Sequence, residues 1–278
     1  MHPSLIKLLA LNKQRGTFRA EQTAESATVY LYDVIVSDDY WGGVAPLTFI
    51  KELLAIDAPV IHLRINSPGG DVFAARAMEQ AIREHKSQII AHIDGYAASA
   101  ASYLALAADT VEMAPGGFYM IHKAWTVAFG NSKDLTDTAK LLDKIDESLV
   151  TTYATETGQD PEQIRQWMAD ETWFTAEEAV QYGFADSINQ GADKSASNSI
   201  NWDLSAYAKA PNKESRKNEQ QSADKYQQNQ HNQPESEARN NGLTGDDAAE
   251  GSDTSTASPV ANAAANRNRL RLATAKAA

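Results

Sequence analysis

The sequence predicts an α/β domain of mostly parallel strands followed by a polar tail. Three observations carry this. β-branched and aromatic runs alternate with stretches of helical apolar spacing, several runs end in glycine or small-residue turns, and the apolar residues thin out after about residue 188. Strands alternating with helices favour parallel pairing through right-handed crossovers. The 278 residues suffice for one sizeable core. Residues 1–27 are read as an N-terminal segment, 28–189 as the folded domain, and 190–278 as a mostly disordered tail with a basic end, because the last stretch is too poor in apolar side chains to offset its ordering entropy.

The elements follow in order. Thr28–Val36 (TVYLYDVIV) reads as a strand that stops at Ser37-Asp38-Asp39. In APLTFIKELLAI, Leu47, Ile50, Leu53 and Leu54 share one helical face, and Asp57-Ala58-Pro59 closes it. Val60–Asn66 is a second strand running into Ser67-Pro68-Gly69-Gly70-Asp71, after which Val72, Ala75, Met78, Ala81 and Ile82 resume helical spacing up to His85. IIAHI, a turn at DGYA and the small-residue helix ASAASYLALAA repeat the pattern; VEMAP, the Gly116-Gly117 turn and FYMIH repeat it again. From Lys133 to about Glu156, Leu135, Ala139, Leu142, Ile145, Leu149 and Tyr153 form a stripe opposite Lys140, Asp143, Lys144 and Asp146. A short helix with Asp160 as N-cap and Pro161 at its first position comes next, and Thr175–Glu178 fits a capping box.

Composition excludes several functions. A net charge of −12 without a legible cluster of Lys and Arg argues against binding nucleic acid. The absence of cysteine removes disulfides, thiolate metal sites and a cysteine nucleophile, and fits a reducing compartment. No metal-ligand spacing is legible, so neither metal nor cofactor is expected. The apolar run near the N-terminus is too short for a signal or spanning segment, which predicts a soluble, cytoplasmic protein that does not engage membranes.

Chemistry concentrates at three predicted strand ends: INSPGGD (65–71), GYAASAA (95–101) and MIH (120–122). Carboxyl ends of parallel strands are where loops converge on ligands. Acyl transfer needs a nucleophile, a base, a group that orients the base, and backbone N–H donors for the oxyanion. Ser99 supplies a hydroxyl, His122 an imidazole, and the glycine pair a backbone that substrate can approach. By itself an Ala/Ser-rich stretch is more often a packed helix. His62 and His92 fall inside strands as core or edge residues, His85 falls on an exposed helix end, and Ser102 packs one turn beyond Ser99.

These motifs, together with TWFTAEEAVQYGFADSI, resemble the ClpP peptidase superfamily over about residues 28–188, with Gly70 to Ser99 separated by 29 positions and Ser99 to His122 by 23. The resemblance implies a ClpP/crotonase-like spiral of ββα units, assembly of identical subunits into rings, and serine endopeptidase activity. It implies Ser99 as nucleophile, His122 as base, Gly70 and Ala100 as oxyanion donors, and Glu171 as the third member, with Asp170 as rival. It also equates the helix from Lys133 with the family's inter-ring handle, although the stripe could equally pack on its own domain.

Three departures stand out: Asp71 after the glycine pair, no proline after MIH, and the long tail ending in Arg267, Arg269, Arg271 and Lys276. They resemble the ClpP-like head maturation proteases of tailed phages and prophages, which implies scaffold and capsid proteins as substrates inside the immature shell. Alternatives are a housekeeping peptidase fed by an ATPase, a non-catalytic scaffold that keeps the fold, a crotonase-type acyl-CoA enzyme, and a membrane signal-peptide peptidase, the last lacking the anchor it would need.

Overall fold

The computed structural model describes residues 3–12, 15–189 and 202–211. In chain order the elements are α1 (Pro3–Asn12), β1 (Thr17–Gln22), β2 (Ser26–Tyr32), α2 (Pro46–Leu54), β3 (Val60–Ser67), α3 (Val72–Glu84), β4 (Gln88–Ala98), α4 (Ala100–Ala105), β5 (Thr110–Met113), β6 (Phe118–Ile121), α5 (Ser132–Thr157), α6 (Pro161–Ala169), β7 (Thr172–Phe174), α7 (Ala176–Gln181) and β8 (Ser187–Ile188). The sheet runs β1-β2-β3-β4-β5-β8, with β6 paired to β4 and β7 to β6. All these pairings are parallel except β1–β2 and β6–β7. This is the mixed α/β architecture that alternating strands and helices predict.

Alternation places the core. Val29 and Leu31 of β2, Ile61, Leu63 and Ile65 of β3, and Ile89, Ala91 and Ile93 of β4 all point to one buried face, against Phe49 and Leu53 of α2 and Met78 and Ile82 of α3. Aliphatic side chains of this size contribute roughly 1.5 to 3 kcal/mol each when fully buried.

Local differences from the expected elements have identifiable causes. The first long strand stops at Tyr32 rather than Val36, because the Asp33 carboxylate accepts from Val34 N at 2.8 Å and its carbonyl accepts from Ser67 Oγ at 2.6 Å. Ile35 then bridges both Val44 and Gly70. The expected turn over 94–97 is instead strand. Asn66 occupies the space a Cβ at Gly95 would need, with Oδ1 only 2.7 Å away, and accepts from Tyr96 N at 3.3 Å. At that point β4 changes partner, from β5 through Ile90–Ile93 to β6 through Tyr96–Ala98. The small-residue helix accordingly begins at Ala100, with Ser99 as its N-cap.

His85 is buried rather than exposed: it ends α3, and its Nε2 lies 3.1 Å from Leu53 O. His62 and His92 fall on neighbouring strands as expected, Nδ1 to Nε2 at 2.9 Å. The Asp160 cap and the Thr175–Glu178 capping box form as read.

Helix α5 divides in two. Its C-terminal half buries Leu149, Val150 and Tyr153, whereas from residue 132 to 145 no side chain is buried. Among the described residues no helix is long and apolar enough to cross a membrane. Within the range 190–278 the described residues, 202–211, pack against the domain through Trp202, Leu204 and Tyr207. The basic end at Arg267–Lys276 lies outside the described residues.

Candidate active site

Three neighbouring strands bring the site together. Ser67 at the end of β3 pairs with Ala97, and Ala98 at the end of β4 pairs with Met120 of β6. The next residues in each chain segment are therefore the Pro68-Gly69-Gly70 turn, Ser99 and His122, which converge at one sheet edge.

Ser99 Oγ lies 2.7 Å from His122 Nε2. The hydroxyl donates when the imidazole carries its proton on Nδ1, which leaves Nε2 as acceptor. Ser99 has φ 53° and ψ −121°, a region that a residue with a Cβ rarely enters. Its amide N donates to Met120 O at 2.9 Å and its carbonyl accepts from Ser102 N at 2.9 Å and from Ser102 Oγ at 2.5 Å. Backbone and neighbours thus hold the serine in this conformation and turn its hydroxyl toward the residue that follows β6.

The glycine pair supplies the opposite wall. Gly69 has φ 87°, and a Cβ there would stand 2.4 Å from Ala98 O and 2.8 Å from Ser99 Cβ. Ile35 N donates to Gly69 O at 2.9 Å and Asp71 N donates to Ile35 O at 2.9 Å. In a parallel bridge of this kind the residue between those two turns its own N–H away from the partner strand. That residue is Gly70, which lines a cleft of about 740 Å³ together with Ser99, Ala100 and His122. Ala100 is the first residue of α4, where a helix leaves its amides without internal partners. Further along, the cleft wall is apolar, with Val72, Leu142, Ile145 and Leu149.

Glu171, expected to orient the imidazole, is turned elsewhere. Its φ is 50°, and its carboxylate accepts from Ala208 N at 3.0 Å, Lys209 N at 2.6 Å and Trp173 Nε1 at 3.3 Å. Asp170 accepts from Gln166 Nε2 at 2.7 Å and lies 3.8 Å from Lys209 Nζ. The His122 imidazole stands edge to face with Trp125, centroids 4.9 Å apart, and with Tyr207, 5.5 Å apart.

Sequence reasoning missed Tyr207 and Trp125. A signal existed for the former: Trp202, Leu204 and Tyr207 form an apolar cluster in an otherwise polar stretch. Ser102 is the packing residue expected, buried and 2.6 Å from Tyr153 Oη. Among the described residues no group of His and carboxylates could hold a metal ion.

Residues 21–192 match the family model for Clp protease. The chain is similar to ATP-dependent Clp protease proteolytic subunit 2 of Treponema denticola, 32% identical over 50% of this chain and 70% of that protein. Subunit 1 of Bifidobacterium longum is 36% identical over 46% of this chain and 56% of that protein, and a proteolytic subunit of Bacteroides fragilis 30% identical over 54% and 74%. The matched range contains β2 to β8, the glycine turn, Ser99 and His122, and on that footing the chain belongs to the Clp protease family.

Proposed function

We propose that the protein is a serine endopeptidase in which Ser99 is the nucleophile and His122 its base. The 2.7 Å contact between Ser99 Oγ and His122 Nε2, in a cleft that Gly70 and Ala100 also line, carries this reading. His122 removes the hydroxyl proton as Oγ attacks the scissile carbonyl. The oxyanion is received by the N–H groups of Gly70 and Ala100. His122 then returns the proton to the leaving amine, an ester to Ser99 remains, and water activated by the same imidazole releases the acid. The apolar wall suits a peptide with an apolar side chain beside the cleaved bond.

Labelling of the full chain by a serine-reactive phosphonate, with hydrolysis of a fluorogenic apolar peptide, tests the assignment. Ser99→Ala and His122→Ala should each abolish labelling and lower turnover by about 10⁴-fold or more. Retention of either activity in Ser99→Ala would exclude this nucleophile.

Two sources of substrate follow from different observations. The names of the relatives speak for a peptidase fed by an ATPase. Asp71 after the glycine pair, the missing proline after MIH and the long polar tail speak for scaffold and capsid proteins in phage head maturation, the reading we favour. Nucleotide-independent cleavage of a scaffold protein supports it; protein turnover that appears only with an unfoldase and ATP replaces it by the first. In either setting the active form is an assembly of identical subunits. Deleting residues beyond Ala261 should abolish incorporation into proheads if the tail is a docking element.

A further inference from the structure

Residues 202–211 lie beyond the matched range 21–192, yet they are fixed to the active-site face at both ends. Trp202 Nε1 donates to Asn66 O at 3.2 Å and to Asn66 Oδ1 at 3.1 Å. Asp203 N donates to Asn12 Oδ1 at 2.7 Å, and Lys7 Nζ to Ser205 O at 2.7 Å. At the other end the Glu171 carboxylate accepts from Ala208 N and Lys209 N. Between these anchors the Tyr207 hydroxyl donates to Pro68 O, in the turn that carries Gly70.

The Tyr207 ring stacks on Trp125 at 5.5 Å and 16°, and meets Trp173 edge on at 5.7 Å. Two nearly parallel aromatic planes therefore stand perpendicular to the His122 ring, at 85° and 86°. Tyr207 is buried, and burial pushes its phenol above the ordinary range, so the hydroxyl stays a donor. Trp125 lines the cleft, and the Tyr207 hydroxyl lies within hydrogen-bonding reach of the Ser99 side chain, so the segment stands directly beside the nucleophile and its base.

Resting on the serine peptidase reading, we propose that Tyr207 is a positioning residue for His122. Clasped by Glu171, segment 202–209 holds the phenol against the imidazole and at the same time pins the oxyanion turn through Pro68. Glu171 acts through this clasp. A carboxylate that accepts two backbone N–H groups makes charge-assisted bonds, strong enough to order a short segment that has no helix or strand of its own. Edge-to-face contacts on one side of the imidazole limit its rotation.

The test uses the full chain and separates kcat from KM on the fluorogenic peptide, with phosphonate labelling rate as a second readout. Tyr207→Leu keeps apolar volume but removes the aromatic edge; it should lower kcat and the labelling rate on the order of ten- to a hundredfold, the scale of a base displaced by about 1 Å, with KM changed less than about twofold. Tyr207→Phe should recover most of the loss. Glu171→Ala should lower kcat similarly, and adding it to Tyr207→Leu should cost little more, because both act on one contact. If Tyr207→Leu melts earlier but keeps kcat, the segment is only packing and the proposal fails. If the two losses multiply, Glu171 acts on His122 independently and the clasp is wrong. Should Tyr207→Leu not fold, Glu171→Gln decides: an unchanged kcat overturns the proposal, a loss in kcat at constant KM supports it. Turnover surviving in Ser99→Ala would instead remove the peptidase reading, a distinct failure.

Discussion

At Ser99 the chain accepts a backbone conformation, φ 53° and ψ −121°, that costs on the order of 1 to 3 kcal/mol for a residue with a side chain. The neighbours that hold it there are small. Gly69 abuts Ala98 O, Ser99 Cβ and Ala100 N, so that a single methyl at residue 69 would press on the nucleophile's own backbone. Gly69→Ala should therefore lose phosphonate labelling by at least about a hundredfold, by displacing the nucleophile, and should also lower the melting temperature, since φ 87° itself disfavours alanine. Equal labelling of wild type and variant would mean that the turn can relax without moving Ser99. A second residue-scale effect concerns Ser102, whose hydroxyl bonds Ser99 O and the Tyr153 hydroxyl inside the core. Ser102→Ala should cost about 1 to 3 kcal/mol in chemical denaturation, because it leaves a buried phenol to find another partner. Adding Tyr153→Phe should cost less than the two single changes summed.

Among the elements, α3 and α5 are joined by a group of charges beneath the site. Arg83 of α3 reaches Glu79 Oε1 at 3.1 Å and Glu156 Oε1 of α5 at 2.8 Å, and both carboxylates are almost fully buried. Arg76 binds Glu79 at 2.8 Å and lies over the Tyr103 ring of α4. Removing one member of a buried ionic group strands the others, so Arg83→Met should destabilise by about 3 kcal/mol in urea unfolding. Lys86→Met, which breaks an ion pair with Asp57 whose members are 71% and 80% exposed, should leave the midpoint unchanged. Equal effects of the two substitutions would show that the α3–α5 charges are as well solvated as those on the surface.

The elements also show where the sequence was readable. Helix α3, with its apolar stripe, and helices α6 and α7, with explicit caps, fall where periodicity, Asp160 and Thr175 put them, whereas the Asp71 cap of α3 shows only in the structure. The three converging strand ends were legible as well, since glycine and small-residue turns mark where strands stop. What was hidden is non-local. The bend of β4 at Gly95 depends on Asn66 from another strand, and the direction of Glu171 depends on residues 208 and 209. No spacing rule along the chain encodes either pairing, because each joins segments about 30 or more positions apart.

At the scale of the whole molecule the unpartnered feature is the N-terminal half of α5. A helix in water normally buries its apolar stripe, yet Leu135 is 46% and Leu141 53% exposed, while Ser132 to Thr157 continues unbroken behind a capping box at Asn131. An isolated half-helix of this length is marginal in water unless something packs on it. Asn131 and Asp134 fix its start, and the α5 residues from Asp146 onward fix its end in the core, so Leu135 and Leu141 are held exposed on a rigid arm, Leu141 also lining the cleft. In a family of ring-forming subunits the partner that fits best is the same arm of a second copy. Leu135→Asp with Leu141→Asp should then shift the full chain from assembly to smaller species in sedimentation, whereas exposed Lys133→Ala should leave the sedimentation profile as it is. An unchanged profile for the double aspartate variant would mean that the arm meets some other partner, and that the contacts between copies lie on a different face.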